Sequence, residues 1–132
     1  MVGVARWFML AAVVSALGGM VWGIQMSASQ DHLLSPAHGH LNLLGWVSCS
    51  IYAFYYQLLP AAAGGVLPRL HLATALLALV LLVPGIPLAI QERGETMAQA
   101  GSVAALLSML LFAAVVLRHR PEKAVFARQK GH

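Results

Sequence analysis

Long apolar runs separated by short polar stretches organise this chain. Four runs stand out, at about Trp7–Ile24, Ala37–Leu59, Leu70–Ile90 and Met97–Leu117. Each approaches or exceeds the roughly 20 residues that a helix needs to cross a bilayer core of about 30 Å. The runs are continuous rather than alternating, which argues against the strands of a membrane barrel. The pattern predicts an all-α fold: one integral membrane domain over residues 1–132, a four-transmembrane-helix bundle. Its connections are short, Gln25 to Pro36, Pro60 to Arg69 and Gln91 to Thr96.

Composition supports the same reading. The chain is 60% hydrophobic and 9% charged, where a soluble domain carries about 25% charge. Lipid is therefore the expected partner along most of its surface. The net charge of +4 does not point to nucleic acid. Its carriers Arg118, Arg120, Lys123, Arg128 and Lys130 crowd into a tail at 118–132 that reads as a membrane-flanking anchor. Arg6 and Arg69 fall on the same side as that tail. Asp31, Glu92, Arg93 and Glu95 fall on the other. Basic residues in short loops mark the cytoplasmic face, so both termini are expected there, with an inner bacterial membrane as the setting. Arg6, the first apolar run and Ser27-Ala28-Ser29 also resemble a signal peptide weakly; the first run is read as a retained span. Cys49, inside an apolar run, reads as a small packing residue.

Chemistry concentrates at the start of the second run, Ser35-Pro36-Ala37-His38-Gly39-His40-Leu41-Asn42-Leu43-Leu44-Gly45-Trp46. Pro36 suits a first helical turn and Ser35 suits its cap. Two positions along a helix amount to about 200° of rotation, so His38 and His40 should not share one metal ion. One is expected inside the bundle and the other towards headgroups or a neighbouring subunit. Ionisable groups at membrane depth are functional candidates; the plainer reading is an interfacial anchor. Zinc wants three or four polar ligands, and copper takes imidazole with thioether. Haem needs one or two axial ligands and an apolar slot, which suits this chain best.

The run His40-Leu41-Asn42-Leu43-Leu44, with Trp46, Tyr55-Tyr56 and Pro60, resembles the second helix of the nitric oxide reductase large subunit, within the haem–copper oxidase superfamily. The resemblance covers about one span. It implies a haem b ligated by His40, or by His38, whose His-Gly start is similar to that of some oxidases. It further implies electron transfer or binding of a diatomic gas. The copper-site histidines have no counterpart, and any enzyme activity would be of that oxidoreductase type. The family arranges its helices in three arcs of four, so a four-helix chain is expected to assemble as a homotrimer resembling that layout or as a homodimer with haem between subunits, with a redox partner. Copper or zinc binding through His32, His38 and His40, or a cofactor-free assembly subunit, are the alternatives.

Supporting residues follow from depth. Met97, Met26, His32 and His38 lie at the level of His40 and are candidate second ligands; Arg93 and Gln91 are candidate partners for haem propionates, with an Arg93 pairing to Glu92 or Glu95 as the alternative. Span two descends roughly 30 Å from His40 to Pro60 at 1.5 Å per residue, so His71 belongs to the opposite end, as an interfacial residue, a second site or part of a proton path. Asn42 is expected to bond to another helix. Pro84-Gly85-Ile86-Pro87 either bends span three or ends it. Trp22, Trp46, Tyr52, Tyr55 and Tyr56 line a slot or form interfacial belts.

Overall fold

The computed structural model of the protein describes residues 1–119. The tail residues Arg120, Lys123, Arg128 and Lys130 lie outside the described residues. The described chain is helical throughout, with no strand among those residues.

Helix α1 spans Gly3–Ser29 and ends where Gln30 turns left-handed at φ 56°. Asp31 then accepts a hydrogen bond from the Leu33 N–H at 3.0 Å, a local turn that redirects the chain. Helix α2 spans Ser35–His40 with Pro36 in its first turn. It passes without a break into a π-helical segment at Leu41–Ser48 and then into α3 at Cys49–Leu58. A short 3-10 turn at Pro60–Ala63 leads to α4, Leu67–Ile90, and then α5, Thr96–Arg118. Among the described residues, three helices are long and apolar enough to cross a membrane: α1, α4 and α5. The remaining stretch from Ser35 to Leu58 is comparable in length to α4 but changes its winding midway.

The boundaries extend the sequence expectation by a few residues at most ends. Other expectations change more. Ser35 makes no side-chain cap. The second apolar run is not a uniform α-helix: the Ser48 hydroxyl and Cys49 thiol donate to carbonyls five residues back, Leu43 at 2.9 Å and Leu44 at 3.3 Å. Helix α4 continues through Pro84 and Pro87 to Ile90, so the prolines do not end it.

The helices run alternately up and down, and small residues set how closely they pack. Along α1, Ser15, Gly19 and Gly23 face Gly45, Asn42 and His38 of the second stretch. Between α4 and α5, Gly85 lies against the backbone of Met97 and Ala98, and Gly101 lies against Leu82. Lipid is as apolar as a leucine side chain, so burial of apolar surface gives little drive between helices in a membrane, and close packing takes its place. The outward surface fits that solvent. Val21 and Val80 are each 67% exposed and Ile24 71%, exposures that a bilayer accepts without penalty.

Larger side chains fill the end of the bundle that carries both Gly3 and Arg118, here called the terminus end. Phe8, Tyr56, His71 and Val115 are fully enclosed there. Cys49 is a buried free thiol in the same core, which agrees with a packing role.

Candidate functional site: two histidine centres at opposite ends

The first centre forms where α2 meets α1. Two residues of helix separate His38 from His40, and the structure places them as rotation requires. His38 is half-buried against α1 and His40 is exposed. The His38 ring lies over Gly23 and edge-on to Trp22, with centroids 6.1 Å apart. Its Nε2 lies 2.9 Å from the Gly19 carbonyl oxygen. A carbonyl only accepts, so Nε2 carries the proton and Nδ1 holds the lone pair. Asn42 Nδ2 also lies 3.2 Å from that Nε2, but it donates instead to the His38 carbonyl at 2.9 Å. Two donors do not bond, so the shorter contact is the effective one. Asn42 therefore serves its own helix while its amide packs on Gly19, rather than bonding across helices.

The same logic fixes His40. Its Nδ1 lies 2.8 Å from the Pro36 carbonyl, so Nδ1 is the donor and Nε2 is left bare on an exposed ring. A backbone carbonyl that holds one ring nitrogen is how many ligating histidines are oriented. Methylating Gly19 tests how this centre is built. A Cβ there would overlap the Asn42 amide. In Gly19→Ala, Asn42 moves, and the His38 hydrogen bond to Gly19 lengthens. The His38 side-chain nitrogen resonances are expected to shift while those of His40 stay in place.

The other candidates at this level do not converge on His40. Arg93 is exposed in the turn between α4 and α5, where its N–H donates to Leu88 at 2.9 Å. Gln91 is exposed just past the end of α4. Glu95 accepts from Gln99 at 3.4 Å. Met97 begins α5 beside Gly85 and is 38% exposed. Met26 lines a cavity of about 190 Å³ with Trp22, Gln25 and Asp31, below the roughly 300 Å³ where small-molecule sites begin. His32 is exposed in the turn before α2. Among the described residues no three His, Cys, Asp or Glu side chains are grouped to hold a metal ion.

The second centre surrounds His71, near the start of α4. The expectation of an interfacial residue is corrected here: His71 is 0% exposed. Its Nδ1 is 2.9 Å from the Tyr56 hydroxyl, and its Nε2 has no hydrogen-bond partner. Phe8 of α1, Tyr52 and Tyr56 of α3 and Phe112 of α5 surround the ring, with centroids at 4.8, 4.4, 5.8 and 5.3 Å. Tyr56 is 1% exposed, so it belongs to this core and not to an aromatic belt. Trp46, 41% exposed, lies on the outer surface of its helix.

A spacing in the sequence marks this architecture. His38, Asn42, Gly45, Cys49, Tyr52 and Tyr56 recur at intervals of four, three, four, three and four. Such a series stays on one side of a helix. Here that side faces the bundle and, unlike an ordinary seam, is mostly polar.

No protein-family model, curated protein or solved structure matches this chain.

Proposed function

We propose that the chain is a four-span membrane protein that binds haem b through His40, for electron transfer or for binding a diatomic gas. The stretch from Ser35 to Leu58 supplies the fourth span in this reading. Both termini lie on the cytoplasmic side of a bacterial inner membrane, because Arg6, Arg69 and the basic tail share one side. The observation that carries the reading is the state of His40. Pro36 holds its Nδ1–H at 2.8 Å, which orients the ring and leaves a basic, exposed Nε2. At this end of the bundle, among the described residues, a single histidine nitrogen oriented in this way suits haem iron, which takes one or two protein ligands, better than a zinc or copper site that needs several.

Bound haem would supply a one-electron couple and an iron centre for small ligands. The chain's own residues account for the rest. The Pro36 carbonyl fixes the His40 tautomer. The cavity at Trp22 and Met26, about 190 Å³, is too small for a porphyrin, so the walls of the slot come from a second copy. In a homodimer or homotrimer, His38, Met97 or a second copy's His40 would be the residues to complete the hold on the iron. Arg93, at the same end, is free to approach the propionates. The resemblance of His40-Leu41-Asn42-Leu43-Leu44 to the reductase helix points the same way, and a redox partner is part of the reading.

The test is a haem titration of the purified protein in detergent. A saturable Soret band is expected, which disappears in His40→Ala. No band, or a band unchanged when both His38 and His40 are alanine, overturns the proposal. Stoichiometric copper or zinc without iron would favour metal handling instead, and histidine substitutions that change assembly but no spectrum would favour a cofactor-free subunit.

A further inference from the structure

A buried imidazole is costly unless both nitrogens are satisfied. His71 is wholly enclosed, yet only one nitrogen has a partner. No charged side chain is among the four aromatic rings packed on it, Phe8, Tyr52, Tyr56 and Phe112. A leucine or phenylalanine would fill such a space without leaving an orphaned polar atom. Groups retained at that cost inside a membrane domain are candidates for function.

The surroundings indicate which function. On one side, Tyr56 forms part of the wall of a cavity of about 340 Å³ at the terminus end, with Val4, Gln57, Pro60 and Gly64. On the other, Tyr52, whose ring contacts His71 at 4.4 Å, lines a small cavity of about 30 Å³ between helices, with Ser48, Ala78 and Ser108. That space and those hydroxyls accommodate a water molecule, which needs about 10–15 Å³ and polar partners. Tyr56 thus borders one cavity and Tyr52 the other, an apolar space with three hydroxyls on its wall, and the His71 ring is in contact with both tyrosines.

We propose that Tyr56 and His71 form a proton relay between the terminus end and the interior of the bundle, with the proton itself as the species carried. In the resting state of this relay the Tyr56 hydroxyl donates to Nδ1 across the 2.9 Å contact and the ring carries its proton on Nε2. Water in the terminus-end cavity delivers one proton to the Tyr56 oxygen as the Tyr56 proton passes to Nδ1. The imidazolium then releases the Nε2 proton towards the interior hydroxyls. One proton enters, one leaves, and the ring is neutral at both ends of the passage; the reverse passage returns a proton to the terminus end and restores the pair, so the two together exchange protons between the sides without net transfer. This role is separate from His40, at the far end of the bundle, and does not depend on a cofactor.

The test follows hydrogen–deuterium exchange at the His71 ring by solid-state NMR, on full-length protein in liposomes with nitrogen-15-labelled histidine. Wild-type His71 is expected to exchange within seconds of transfer to deuterated buffer, despite its burial. Tyr56→Phe is expected to slow exchange by about tenfold or more, because the ring then waits for local opening of the bundle. Tyr55→Phe, a neighbour that does not bond to His71, should leave the rate unchanged. Protection of wild-type His71 for hours would show a sealed core and overturn the relay. Unchanged or faster exchange in Tyr56→Phe, or equal slowing in both variants, would overturn it as well.

Discussion

Gly85→Val separates α4 from α5 and costs about 3 kcal/mol or more, the upper range for overpacking a tight interior. A Cβ at residue 85 would lie 2.7 Å from the Ala98 nitrogen and 2.9 Å from the Met97 carbonyl carbon. Those are backbone atoms, so no rotamer change makes room. The helices must move apart, which also lifts Leu82 from Gly101, where a Cβ would lie 2.7 Å from the Leu82 side chain. In lipid the lost packing is not recovered by burying apolar surface elsewhere, because lipid and leucine are equivalent solvents. Unfolding in mixed micelles with increasing dodecyl sulfate, followed by circular dichroism, measures the loss. A Gly85→Val protein as stable as wild type would show that α4 and α5 do not meet here. The exposed Gly39, with open space at its Cβ, is the control: Gly39→Ala is expected to be neutral or slightly stabilising, since alanine favours the helix by about 1 kcal/mol.

The second large effect is a pattern rather than a single loss. His71→Phe leaves the Tyr56 hydroxyl buried without its partner, and Tyr56→Phe leaves Nδ1 in the same condition. Each single change is expected to destabilise by about 1–3 kcal/mol, the penalty of a stranded polar group. The double variant removes both stranded groups and the orphaned Nε2 as well, and is expected to lie close to wild type or above it. The coupling energy from the cycle is then about 2 kcal/mol or more, the sum of the two single losses, above the usual values for polar pairs in membrane helices. Additive losses would mean that the 2.9 Å contact is not a hydrogen bond of any consequence. The cycle and the exchange experiment answer different questions: one measures what the pair contributes to folding, the other whether a proton crosses it. A double variant of native stability, together with slowed exchange at the His71 ring in Tyr56→Phe, would identify the pair as kept for transfer and not for structure.

Hydropathy alone was enough for the class and the layout. Long apolar runs with short turns leave few arrangements other than an up-and-down helical bundle, and the lengths of α1, α4 and α5 follow directly. Rotation per residue was enough to part His38 from His40, because it depends only on local helix geometry. The tertiary structure decided the rest. Whether His71 lies at an interface or in a core depends on Phe8, Tyr52 and Phe112 arriving from three other helices, and no local pattern states that. The proton positions on His38 and His40 depend on which carbonyls lie beside them; Gly19 comes from a different helix and Pro36 from the preceding turn. The change of winding at Leu41–Ser48 was equally hidden, since nothing in the run Leu41-Asn42-Leu43-Leu44-Gly45-Trp46-Val47-Ser48 distinguishes it from an α-helical stretch of a membrane span. Sequence determined that long apolar helices pack and in what order they follow along the chain, because the bilayer sets their length. Packing determined which polar groups were enclosed, because enclosure belongs to several helices at once.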